Sequence, residues 1–380
     1  MTRAGQPEVA RACDPCLRRG YLVAGLAPHI AGLLDRPGPR AKGLLALPEP
    51  RLLAAVGGER AESAAAALGE LDLGSERERL ASAGVLAVCR HAPAYPEVLR
   101  DLDDAPAVLF GCGRTDALEL LAEEPAVAIV GTRNPSAYGR EVAYALGRGL
   151  AVAGVPVVSG LALGIDARAH RGCLDGAGVP LAVLACGPDV VYPRRHRRLY
   201  EEVRGAGLVL SEFPPGVRPF RWSFPARNRI MAGLARMTVV VEAADPSGSL
   251  ITGEFARDLG RSVAAVPGPI TSRVARGTNG LLRDGATPVT GTEDILDELF
   301  GVGARRLEPD AKPREPADRI LARVLKAAEG TGSVGAIAEA AGIDTARARA
   351  ALARLEADGY LVRDGLAGWQ RAAGPILADP

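Results

Sequence analysis

The chain has 380 residues, 48% of them hydrophobic and 24% charged, and 46 Lys+Arg against 45 Asp+Glu leave a formal net charge of +1. This length predicts two or three domains with real cores, and the near-neutral balance excludes a protein that holds polyanions by bulk charge, so any such site is a local patch. Lysine occurs only at Lys42, Lys312 and Lys326, so arginine carries nearly all the positive charge; with the heavy use of Ala and Gly this reflects a GC-rich coding bias and says little about function.

The opening stretch MTRAGQPEVARACDP lacks the apolar core of a secretory signal. No run approaches the roughly 18 apolar residues that span a bilayer. A cytoplasmic protein without membrane contact is therefore expected. Six cysteines are scattered at Cys13, Cys16, Cys89, Cys112, Cys173 and Cys186. Cys13 and Cys16 form a C-x-x-C, half of a zinc site, but no second pair or C-x-x-H follows at the usual spacing. Cys89 and His91 could complete it only if the fold happened to bring them there. Free thiols in a reducing compartment, with no metal and no cofactor, are the expectation.

Residues 17–82 read as short helices separated by breaks, with Gly25, Pro28 and Pro37-Gly38-Pro39 as punctuation. Residues 1–83 thus suggest a small helical module, either a relative of the sterile-alpha-motif and helix-hairpin-helix folds or a packing or dimerisation cap. From Gly84 to about residue 120, VLAVC and APAVLFGCG read as lead-in strands. Strands then follow at 127–131, 155–160, 181–187, 208–213, 238–244 and 263–268, with helices at 137–153, 164–176, 194–205, 226–235 and 248–260 between them. Near-continuous apolar strands alternating with helices predict an α/β fold, a mostly parallel, doubly wound, Rossmann-like sheet covered on both faces, over 84–302. Residues 303–317, rich in Pro, Gly and charge, read as a linker. Helices at 318–329, 333–341 and 345–358, then two short strands around Asp364-Gly365, make 318–380 a winged helix. Its third helix carries Arg347, Arg349 and Arg354 against Asp344, Glu356 and Asp358, a balance that suits a DNA contact or a protein contact equally.

Ligands of an open parallel sheet gather at the carboxyl ends of its strands. The residues leaving those ends are Gly131-Thr132-Arg133-Asn134, Ser159-Gly160 with Gly164-Ile165-Asp166, Cys186-Gly187, Ser211-Glu212-Phe213, and Glu242 followed by Asp245-Pro246-Ser247-Gly248-Ser249 and Thr252. Phe224-Pro225-Ala226-Arg227-Asn228-Arg229 lies between the fourth and fifth strands. Glycines, hydroxyls, an amide and arginines are what phosphate oxygens take as partners. Singly, each has a structural use: turn glycines, caps at Thr132 and Ser249, an ion pair from Arg133 to Asp166 or Glu212, a core or capping role for His170. The repetition of one residue chemistry at several strand ends favours a site. Arg194-Arg195-His196-Arg197-Arg198 places cations at a helix start, where the dipole opposes them, which also favours an anion-facing or subunit-facing role. No P-loop, no G-x-S-x-G and no complete G-x-G-x-x-G occurs, so a catalytic set is not expected.

The motifs VAIVGTRNPSAYG, VVSGLALGIDARAH, LAVLACGPDVVYP, FPARNRIMAGLA, VVVEAADPSGSLITGEFARDLGRSVAAVPG and GTNGLLRDGA, in order over about residues 84–290, closely resemble the DNA-processing protein A family, also called Smf. The resemblance implies a cytoplasmic, non-enzymatic protein that binds single-stranded DNA without sequence preference, loads the RecA recombinase on it in natural transformation, and forms homodimers. It implies phosphate-gripping positions at Thr132, Arg133, Ser159, Gly160, Gly164, Arg227, Asn228, Arg229, Gly248, Ser249 and Thr252. An acid inside an anion site would repel DNA, so Asp166 reads as a cap and arginine anchor, with His170 holding its turn. His196 stands where the family usually has asparagine, Gly253 where it usually has alanine, and the lysines common in the family's basic loops are absent. A competing reading is a phosphoribohydrolase-like nucleotide enzyme, whose P-G-G-x-G-T-x-x-E signature can be laid on Pro246–Glu254 with Glu254 as the catalytic acid; Leu250 and Ile251 replace its Gly-Thr pair.

Overall fold

The computed structural model describes residues 12–34, 41–306, 316, 318–328, 333–357, 360–364 and 368–371. The chain divides into two compact units, Met1–Arg306 and Leu307–Pro380.

The first unit is built on a nine-stranded sheet: β1 (Leu86–Cys89), β2 (Val108–Gly113), β3 (Ala126–Val130), β4 (Val157–Ser159), β5 (Pro180–Leu184), β6 (Leu208–Ser211), β7 (Ala235–Val240), β8 (Ser262–Ala265) and β9 (Thr287–Pro288). Their order across the sheet is β1-β2-β6-β5-β4-β3-β7-β8-β9. From β6 to β9 every pairing is parallel, and β1 and β2 close one edge antiparallel. Every residue of β3, β4, β5 and β6 is buried, which is why, apart from Pro180 at the start of β5 and the terminal Ser159 and Ser211, these strands are written in Val, Ile, Leu and Ala. The strand order runs outward from β3 to β6 on one side and through β7 to β9 on the other. The reversal between β3 and β7 is a topological switch point, the place where an open α/β sheet leaves a crevice at its strand ends.

Several strands stop earlier than their apolar runs. Gly131, Gly160, Gly187 and Glu242 have already left the ladder and begin the loops of that crevice. At the other end of β7 there is no connector, because the helix Ser223–Leu234 passes directly into Ala235.

The helical segment before the sheet differs from expectation. One helix, Asp14–Leu34, runs straight through Gly25 and Pro28. Proline forfeits a helical hydrogen bond at a cost of about 3 kcal/mol in an open helix. Here Leu22, Leu26 and Ile30, one turn apart, are all fully buried against Leu52, Leu68 and Trp222, and each such side chain contributes about 1.5–3 kcal/mol. Packing overrides the break. The Trp222 indole also donates to the Ala27 carbonyl at 2.9 Å, so these helices share a core with the α/β part.

The second unit holds helices Arg319–Ala328, Val334–Ala341 and Thr345–Ala357 and an antiparallel pair, β10 (Leu361–Asp364) and β11 (Gly368–Arg371). Its core is Leu321, Val324, Leu325, Ile337, Leu352, Leu355 and Leu361. Most of the expected linker, 307–315 and 317, and the turn residue Gly365 lie outside the described residues. No helix among the described residues is long and apolar enough to cross a membrane.

Candidate nucleic-acid interface

At the switch point a cleft of about 350 Å³ opens between the loop after β3, the loop after β4, and the helices on either side of β7. Its lining includes Thr132, Arg133, Asp166, Phe224, Arg227, Asn228, Gly248, Ser249 and Thr252. A narrower extension continues past Arg133, Gly160 and Arg227 to Tyr192 and Pro193.

Two glycines are required by close approach. The Gly160 position lies against the Arg227 guanidinium, and a Cβ there would stand 1.8 Å from Arg227 Nη1. Gly164 has φ of +81°, and a Cβ would meet the Thr132 carbonyl oxygen at 2.4 Å. It is the residue before helix Ile165–Asp175, so it shapes the loop and is not part of the cleft lining. Between them Leu161 takes φ of +53°, a conformation that costs a branched side chain on the order of 1–2 kcal/mol. Its complete burial holds it there. The result is a tight turn whose Gly160 and Ala162 N–H groups both donate to Asp166 Oδ2, at 3.1 and 3.4 Å.

Asp166 is buried, and burial raises its pKa, with Arg227 the leading charge that opposes the rise. Arg227 is buried as well. Burial lowers its pKa and Asp166 opposes the fall. No direct ion pair joins the two among the described residues. Arg227 instead donates to the Val183 carbonyl at 2.5 Å, which anchors one Nη while the guanidinium lines the cleft. Arg133 pairs with neither Asp166 nor Glu212. It is exposed, and its guanidinium lies 5.0 Å over the Phe224 ring. Phe224 in turn meets Tyr192 at 5.6 Å between centroids, and Tyr192 is 42% exposed.

Thr132 is held by its backbone, N–H to the Glu242 carbonyl at 2.7 Å, while its Oγ1 accepts from Asn134. On the opposite wall Asn228 Nδ2 donates to the Gly248 carbonyl at 3.1 Å, tying the arginine-bearing helix to the start of helix Gly248–Asp258. Thr252 is buried on that wall, and its Oγ1 has no hydrogen-bond partner within the protein. The positive end of this helix dipole faces the cleft.

Besides Gly164, two of the expected phosphate-gripping positions, Arg229 and Ser159, lie outside the cleft lining. Arg229 points away from the cleft. It is 1% exposed, with Nε 3.0 Å from Asp104, Nη2 2.8 Å from Glu212 and further bonds to the Asp104 and Ala226 carbonyls. Arg227 and Arg229 are two apart on a helix and so face different sides. Ser159 is fully buried and spends its hydroxyl on the Ile129 carbonyl at 2.6 Å. His170, expected to hold the turn after β4, is fully buried, and burial pushes its pKa down to about 3, so the imidazole is neutral.

Sequence reasoning missed the Tyr192–Phe224 pair as a feature of the site. Its signal is an aromatic directly before a proline, at Tyr192-Pro193 in the loop after β5 and at Phe224-Pro225 in the first turn of helix Ser223–Leu234. It also missed the part played by Glu242. That carboxylate accepts from the Ser136 N–H and hydroxyl, at 2.9 and 2.5 Å, and so occupies the start of helix Ala137–Val152, which is then closed to an outside anion. A third correction concerns the cysteines. The fold brings Cys89 and His91 to Cys13 and Cys16, with all four ligand atoms within 4.8 Å of one another. The pair that looked orphaned in sequence has its complement.

Fold and site together define a doubly wound α/β protein with an arginine- and aromatic-lined cleft at its switch point. Residues 87–300 match the family of DNA recombination-mediator protein A, and the chain belongs to that family. It is 40% identical over 215 residues to DNA processing protein DprA of Bacillus subtilis, covering 57% of this chain and 71% of that one. With the Streptococcus pneumoniae protein of the same name it shares 41% over 227 residues, 60% and 77% of the two chains. The X-ray structure of DprA from S. pneumoniae superposes with a TM-score of 0.60 at 33% identity, over 75% of this chain and 96% of that one. A structure of the Helicobacter pylori protein, described for its single-stranded DNA binding mode, gives 0.51 at 29% identity, over 57% and 95%.

Proposed function

We propose that the cleft binds single-stranded DNA without sequence preference, and that the protein acts by delivering that DNA to the RecA recombinase in DNA uptake. The observation that carries this is the layered arrangement of Arg133 on Phe224 beside the exposed Tyr192, next to buried Arg227. Aromatic faces take unpaired bases whatever their identity, and arginines track the phosphates between them. A duplex keeps its bases stacked inside and offers those rings nothing. Exposed Arg194, Arg195 and Arg197 follow Pro193 and extend the positive surface from the Tyr192 end.

The same geometry speaks against nucleotide hydrolysis. Glu254 is exposed and outside the cleft lining, and Leu250-Ile251 supplies no glycine nest. Asp166, the acid that does face the cleft, is committed to two loop N–H groups. Family membership supports the RecA and transformation roles, a cytoplasmic setting and a homodimer built on the α/β part. The domain division at 83, 302 and 317, with the last unit as a winged helix that contacts DNA or protein, is part of the same proposal.

Fluorescence-anisotropy titrations with single- and double-stranded oligonucleotides across salt test the reading. Sub-micromolar affinity for single strands, weaker binding to duplex and a steep loss with salt are expected. Arg133→Ala should weaken binding and lower the salt slope by about one while leaving the fold intact. Equal affinity for both forms, or a folded Arg133→Ala protein that binds normally, refutes the site.

A further inference from the structure

We propose that Cys13, Cys16, Cys89 and His91 form a zinc site that fastens the start of the first helix to the edge of the sheet. This site is separate from the DNA cleft, and its test does not depend on that reading.

Cys13 and Cys16 sit at the beginning of helix Asp14–Leu34, where a C-x-x-C places both thiols on one side of the first turn. Cys89 is the last residue of β1, and His91 follows in the turn after it. Two segments more than seventy residues apart thus contribute two ligands each. The His91 Nδ1 lies 3.4 Å from Cys13 Sγ and 3.3 Å from Cys16 Sγ, and Cys13 Sγ lies 3.8 Å from Cys89 Sγ. Zn–S bonds near 2.3 Å and Zn–N bonds near 2.0–2.1 Å put the corners of a tetrahedron roughly 3.5–3.8 Å apart. These three separations match a tetrahedral ligand set, and all four ligand atoms lie within 4.8 Å of one another.

The surroundings fit a structural rather than a catalytic metal. Cys16 and Cys89 are buried, and the Cys13 N–H donates to Cys89 Sγ at 3.4 Å, the kind of backbone support thiolate ligands receive. Three sulfurs and one imidazole close a tetrahedral site with no open position, and soft ligands of that kind select zinc. The Ala12 N–H to Ala87 carbonyl bond at 3.0 Å lays the chain against β1 immediately beside the cluster. The metal would thereby fix the entry of the first helix, whose Leu22, Leu26 and Ile30 reach the core shared with Trp222.

Metal analysis of the full-length chain, purified without added metal and then with zinc, reads this directly. Stoichiometric zinc that survives gel filtration is expected. Paired substitution Cys13→Ser with Cys16→Ser should abolish it, His91→Ala should weaken it, and His91→Cys should retain it. Cobalt exchanged into the site should show the absorption of a tetrahedral thiolate complex, and chelation should lower the thermal midpoint of the wild type. Because the wild-type metal content alone decides, a variant that fails to fold leaves the test intact. A protein that takes up no zinc, that holds iron instead, or whose Cys13 and Cys89 are joined as a disulfide, overturns the proposal.

Discussion

Substituting Arg229 by methionine tests whether this arginine serves the interior of the protein or contacts DNA. In the structure its guanidinium is enclosed by Asp104, whose side chain is 2% exposed, and Glu212, 13% exposed. Burial works against the charge, but Glu212 and Asp104 together hold the Arg229 pKa above its ordinary value. Arg229→Met keeps an unbranched apolar stem and removes the cation, leaving two carboxylates without their counter-charge in the interior. Removing one partner of a buried ion pair costs roughly 3–5 kcal/mol, a large part of the total stability of about 5–15 kcal/mol that domains have. Urea unfolding should therefore show a free energy of unfolding lower by that amount, read as a reduced midpoint at unchanged slope. Adding Asp104→Asn and Glu212→Gln to Arg229→Met should recover much of it, since the acids then need no cation. Single-stranded DNA affinity, measured by anisotropy under conditions where each variant is folded, should stay at the wild-type value. A stable Arg229→Met protein that has lost DNA binding refutes the structural assignment and returns Arg229 to the cleft.

Three further outcomes follow from the same geometry. Gly160→Ala places a methyl where Arg227 Nη1 now sits, so it should expel the guanidinium and weaken single-strand binding as much as Arg227→Ala does; a wild-type titration curve removes Arg227 from the contact set. Tyr192→Ala should cost about 1–3 kcal/mol of single-strand affinity, the value of one stacked base, and leave the weaker duplex binding unchanged; an equal loss for both forms argues against stacking. His170, with a pKa lowered from 6.5 to about 3, takes up a proton on unfolding in that window. Its contribution to stability is fully present above about 6.5 and is lost as pH falls toward 3, at up to about 1.4 kcal/mol per pH unit. Stability curves of His170→Asn should lack that component of the slope; parallel curves for variant and wild type exclude the assignment.

Much of the fold is legible without coordinates. β3 to β6 are buried on both faces, and a strand with no polar face must be written as an unbroken run of apolar residues, so AVAIV and PLAVL announce themselves. The alternation with helices then leaves a doubly wound sheet as the economical solution, and chirality rules place its ligand at the strand ends. What a run of residues cannot show is where its pattern yields to packing. Pro28 should stop a helix, and it does not, because Leu26 and Ile30 on either side are buried beneath other helices.

By itself the sequence determined the parallel sheet, the identity of the loops that meet at its carboxyl edge, and the arginine, hydroxyl and glycine chemistry they carry. These are local properties, set by period, by turn residues and by side-chain type. Only the tertiary structure decided which of those side chains share a space. Arg227 and Arg229 are near neighbours in sequence and face opposite sides of one helix. Ser159 carries a suitable hydroxyl and spends it on Ile129. Cys13 and His91 are far apart in the chain, and a spacing rule that expects the second half of a zinc site nearby passes over them. Direction in space and proximity across long loops are set by how helices and strands pack, and a linear pattern holds neither.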